Sequence, residues 1–357
     1  MPGVAFLVQQ VALKSQIQWR WLFGPRLDVL FFLVPIFIGI GCFLCTTNPM
    51  VLSSVFLTAV ITDSFESGPF HQGPTLFAYW DKQNREYFAG DKMRRGIFLF
   101  GPPMVMAISI LLGIVRKELL ILIWMLWAIQ HFIQQNIGIL LLYHNGKAGE
   151  AVVDRTIESR SQWGACLFFF GIFWQRVILQ GHTDLLTQIL ICGALAAAIY
   201  YCTAYVIELH KNVQAGRYIN APAILFWLFS IFGFVPFAFL GNTFFDAYMI
   251  PTTVHFFQYI GLNFFMTRNK YDAQRVQDLP WKQPLLLLAV TCTLLVSLNL
   301  GLAMLWKDTQ IPSLLRDASR GAMLGLALCH FFLDAFLWRF RDPYLRASIL
   351  PFLKTSR

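Results

Sequence analysis

Ten long apolar runs divide this chain, at 28–46, 49–66, 97–115, 118–142, 161–180, 184–209, 219–240, 244–266, 284–305 and 318–338. A helix needs about 20 mostly apolar residues to cross the hydrocarbon core of a bilayer. The period-2 alternation of a transmembrane barrel is absent, so helices are left as the way to satisfy the backbone in lipid. The expected fold is all-α: a polytopic integral membrane helical bundle of about ten transmembrane helices. Composition points the same way. Charged residues make up 13% of the chain, about half the share of a soluble domain, and mean hydropathy is +0.57. A disordered chain, a coiled coil and an ordinary cytosolic enzyme are excluded.

The net charge of +9 follows from loop Lys and Arg, and calls for no nucleic-acid partner. With the N-terminus placed in the cytoplasm, the ten-span division puts 22 Lys and Arg on the cytoplasmic side and 5 on the other. That asymmetry is the orientation signal of membrane proteins, and it places both termini in the cytoplasm, as in a bacterial inner membrane. One transmembrane domain is expected over 1–357. It has a cytoplasmic or interfacial N-terminal segment at 1–27, a cytoplasmic loop with an amphipathic stretch at 67–96, and a cytoplasmic tail at 339–357. No cleavable signal is read at the N-terminus. The seven Cys lie mostly inside apolar runs, which argues against a disulfide framework.

Ionisable residues at membrane depth are costly, so each is a functional candidate. The second run carries Asp63 and Glu66, the fourth His131, the eighth His255, and the tenth His330 with Asp334. All four runs descend in the same direction. At about 1.5 Å per residue, Asp63 and the three histidines lie roughly 17–20 Å below the outer edge, just past the midplane. A polar residue follows each histidine by three or four positions: Gln134, Gln258 and Asp334. On a helix that is the same face, where a partner orients an imidazole.

Imidazole and carboxylate are common ligands of iron, zinc and manganese. The expected metal ligands are His131, His255, His330, Asp334, Asp63 and Glu66. His71 joins them if the Gly68-Pro69 break folds the chain back. Asp334, Asp63 and Glu66 are the expected catalytic carboxylates, and Gln134 and Gln258 the residues that orient the imidazoles. His144, His182 and His210 read as interfacial. Tyr79, Asp81, Arg85 and Tyr87 suit either a polar headgroup or a solvated helix face. P-loop, GxSxG, Rossmann, HExxH and CxxCH motifs are absent, as are the dense histidine boxes of membrane desaturases.

The expected function is a membrane-embedded, metal-dependent oxidoreductase or oxygenase acting on a lipid or other hydrophobic substrate. Iron is the first choice of cofactor, because soft ligands are scarce at this depth. Alternatives are a zinc-dependent intramembrane lipid hydrolase, a proton- or ion-coupled transporter, a haem site, and plain interhelical hydrogen bonding.

Overall fold

The computed structural model describes residues 17–45, 68–144, 150, 153–182, 184–271 and 275–353. Among these the chain is almost wholly helical. Its one sheet pairs two-residue strands in parallel, Ile17–Gln18 with Ile219–Asn220. Among the described residues, six helical stretches are long and apolar enough to cross a membrane: Pro25–Leu44, Lys92–Val115, Leu185–Gln214, Ala221–Phe239, Pro284–Lys307 and Ser313–Leu337. Helices also cover the expected runs 118–142, 161–180 and 244–266, as Lys117–Tyr143, Arg155–Phe173 and Phe244–Lys270. Their polar residues keep them below the same apolar threshold. The run 49–66 lies outside the described residues.

The chain divides into two compact units, one of residues 1–43 and 132–254, the other of 44–131 and 255–357. In the first unit, Arg155–Phe173 packs along Leu185–Gln214 at Gly164, where an added Cβ would come within 2.8 Å of the Ala198 backbone nitrogen. The remaining face of Leu185–Gln214 is open and apolar, with Leu186, Ile189, Leu190, Ile199 and Val206 exposed.

Small residues also set the packing of the second unit. Helix Gly101–Val115 lies on Ser313–Leu337, and a Cβ on Gly113 would meet the Gly321 Cα at 2.7 Å. A Cβ on Gly325 would meet Ser109 Cβ at 3.0 Å. Such small-residue faces let helix backbones approach closely. The loop expected at 67–96, with its amphipathic stretch, is described from Gly68 on. It folds into short helices at Pro69–Phe77, Lys82–Phe88 and Lys92–Arg95. The first of them packs on Pro284–Lys307 through Gly73, where any side chain would run into Cys292.

Candidate metal centre

Four helical segments of the second unit each deliver one imidazole. Gly68 has φ of +65°, a backbone state that Gly takes at little cost, and Pro69 is pre-set for the first helical turn. The chain therefore enters a helix at once, and His71 lies in its first turn. His131 comes from the Lys117–Tyr143 helix, His255 from the Phe244–Lys270 helix one turn after Pro251, and His330 from Ser313–Leu337. His71, His255 and His330 are 2% exposed and His131 8%.

The imidazoles form a closed ring. Centroids are 4.7 Å apart from His71 to His255, 4.7 Å from His255 to His131, 5.0 Å from His131 to His330 and 4.9 Å from His330 to His71. Across the ring, His255 and His330 are 6.0 Å apart. A metal–nitrogen bond of about 2.0–2.1 Å puts each ring centroid about 3.2 Å from a shared ion. Four such rings lie about 5.2 Å apart in a tetrahedron; in a square, neighbours lie about 4.5 Å apart and diagonals about 6.4 Å. The observed spacings fall between the two. Ligand atoms of His71, His255 and His330 lie within 4.8 Å of one another, and so do those of His131, His330 and Asp334.

One helical turn beyond the imidazoles lies a second polar layer. Thr75, Tyr259 and Asp334 each follow their histidine by four residues, which places them on the same helix face. They are 1%, 2% and 5% exposed. The Thr75 hydroxyl donates to Asp334 Oδ1 at 2.8 Å, and Tyr259 OH donates to the same oxygen at 2.8 Å. Thr75 Oγ1 also lies 2.7 Å from His330 Nδ1. Asp334 Oδ2 lies 3.9 Å from His131 Nε2. Asp334 thus reaches His330 through Thr75 and stands beside His131. Phe331 packs on His131 at 4.7 Å and Phe256 lies 6.3 Å from His71, so part of the wall is aromatic.

The other expected site residues fall differently. Asp63 and Glu66 lie outside the described residues. Gln258 is buried, but Gln134 is exposed, so its helix turns it away from the buried face that carries His131. His182 and His210 are exposed, as interfacial residues would be. His144 turns its side chain into the protein. Its side chain is 7% exposed, with Nε2 2.9 Å from Glu158 and Nδ1 3.5 Å from Glu150. Burial pushes this imidazole down, but the two glutamates outweigh it and hold its pKa up at about 9.

Three of the four candidate headgroup residues are used inside the protein. Tyr79 OH donates to Phe98 O, and Tyr87 OH to Asp342. Asp81 takes Lys270 Nζ and Tyr271 OH, each at 2.7 Å. Burial pushes the Asp81 carboxyl up, but Lys270 and the hydrogen bonds hold it below its usual 3.8. Arg85 alone of the four is exposed. Thr75 and Tyr259 are not among the residues singled out from sequence, because neither is charged. The signal that would have found them is the four-residue step shared by His71–Thr75, His255–Tyr259 and His330–Asp334. Comparison of the chain with protein-family models, curated proteins and solved structures found no match.

Proposed function

We propose that this chain is a membrane-embedded, metal-dependent oxidoreductase acting on a lipid or other hydrophobic substrate. The observation that carries the reading is the closed ring of four imidazoles beside one carboxylate. Four neutral nitrogen donors suit a borderline transition metal, and iron is favoured over copper because no thiolate or thioether stands in the ring. The metal would supply redox chemistry with dioxygen, which partitions into the bilayer along with the substrate. The chain's own part is to hold the imidazoles at fixed spacing, to compensate charge through Asp334, and to keep bulk water out by burial. A bilayer setting is supported by the apolar helices and by the open apolar face of Leu185–Gln214, since large exposed apolar patches are rare on soluble monomers. Within this reading the chain crosses a bacterial inner membrane ten times, with both termini cytoplasmic.

Elemental analysis of the purified protein tests it. Iron is expected at about one ion per chain, and Asp334→Asn, which keeps the volume and removes the charge, should lose most of it while the protein still inserts. Burying a divalent charge without compensation is costly, hence the expected loss. Zinc in place of iron would replace the reading with a zinc-dependent lipid hydrolase, in which Asp334 is the general base. A metal-free protein whose activity follows a proton gradient would replace it with transport.

A further inference from the structure

Three groups lie within hydrogen-bonding reach of the Thr75 hydroxyl: Asp334 Oδ1 at 2.8 Å, His330 Nδ1 at 2.7 Å and Tyr259 OH at 2.8 Å. A hydroxyl owns one proton and two lone pairs. A carboxylate only accepts, so Asp334 Oδ1 takes the proton of Thr75 and the proton of Tyr259. The short approach of the two hydroxyls follows, because both donate to one oxygen. With its only proton committed, Thr75 can act toward His330 solely as an acceptor. His330 Nδ1 must therefore carry the ring proton and donate it to Thr75 Oγ1. In a neutral imidazole that leaves Nε2 with its lone pair. Nε2 is buried and has no hydrogen-bond partner among the described residues. A direct bond from the carboxylate is not needed, since Asp334 Oδ1 stands 3.7 Å from His330 Nδ1 and the hydroxyl bridges them.

We propose that Thr75 is a positioning residue that locks His330 in the Nδ1–H tautomer and relays hydrogen bonding from Asp334 to it. The role rests on the metal reading above for its consequence, because it presents Nε2 as a ligand. Partners of this kind fix the ring and raise its basicity, and losing one costs about 10–100-fold in metal affinity. Thr75 lies one turn after His71 in a helix of only nine residues, so a single short element supplies both a ring member and the orienter of another.

Two variants separate this role from packing. Thr75→Val keeps the volume and removes the hydroxyl; Thr75→Ser keeps the hydroxyl and removes a methyl group. Cobalt(II), whose visible absorption reports its ligands, is titrated against a competing chelator. Thr75→Val is expected to bind about 10–100-fold more weakly, and Thr75→Ser close to wild type. Equal affinity in Thr75→Val, or equal losses in both variants, would overturn the relay. Nitrogen NMR of histidine-labelled wild type gives a reading that needs no variant to fold. The His330 proton is expected on Nδ1 before any metal is added, and a proton on Nε2 would overturn the proposal. A wild type that binds no cobalt but has this proton on Nδ1 upholds the tautomer lock and overturns the metal reading alone.

Discussion

Gly68 shows how much of the centre hangs on single residues. A Cβ at this position would overlap the His71 imidazole, and the φ of +65° is a state that side chains resist. Gly68→Ala should therefore displace His71 without replacing any ligand residue. The expected outcome is at least about tenfold weaker cobalt binding, with about 1–2 kcal/mol lost from stability; wild-type affinity would show that His71 is not needed. His144 offers a test of opposite kind, in pH. Its folded pKa of about 9 stands above the ordinary 6.5, so its stabilisation is fully present below pH 6.5 and is lost as pH rises through 9. His144→Gln should abolish that alkaline loss, as followed by thermal unfolding in detergent at a series of pH values. At this scale the sequence was partly legible. Charged and titratable groups announce themselves in apolar runs because burying them is costly, as His131, His255, His330 and Asp334 do. Thr75 and Tyr259 carry no such penalty, and their place beside Asp334 appears only once the helices are assembled.

Apolar runs made the long helices readable, because membrane-length segments have one viable backbone solution. The helix Pro69–Phe77 was not readable in the same way. Nine residues holding Gly73 and Pro74 have no stable helix of their own, and packing on Pro284–Lys307 sustains this one. Helix contacts in this unit depend on small residues, and Gly321 is among the closest of them. A Cβ there would come within 2.7 Å of the Ile110 Cα. Gly321→Val should force Gly101–Val115 away from Ser313–Leu337 and cost about 1–3 kcal/mol, read as a lower unfolding temperature. An unchanged value would show that the two helices separate freely. A second tie, Asp81 with Lys270, fastens the turn after the His71 helix to the end of the His255 helix. Its side chains are 2% and 8% exposed, so this is a buried pair. Lys270→Met strands the Asp81 carboxylate, and such uncompensated charges cost about 3–5 kcal/mol. Replacing Asp81 by Asn as well should recover part of the loss; no recovery in the double variant would mean that the charge is not the cause.

Orientation is a property of the whole chain, and two features bear on it. The first is the imbalance of 22 to 5 in loop Lys and Arg. The second is a contact within the second unit. Tyr87 stacks on Tyr344 with centroids 4.2 Å apart and donates to Asp342, so the basic segment 82–95 and the basic segment 339–346 sit together. A membrane separates its two faces by about 30 Å of hydrocarbon, so segments in contact share a face. Both are rich in Lys and Arg, so in the proposed membrane topology their shared face is the cytoplasmic one. In that topology the short connection at 308–312, between the helices Pro284–Lys307 and Ser313–Leu337, belongs on the opposite side. A reporter active only outside the cytoplasm should therefore be silent when fused after residue 357 and active when inserted at 308–312. Activity at the C-terminus would invert the topology while leaving the imidazole ring intact, because the ring is held by contacts among helices. Equal activity at both places would refute the paired spans 284–307 and 313–337, and with them the reading of His330 as a residue at membrane depth.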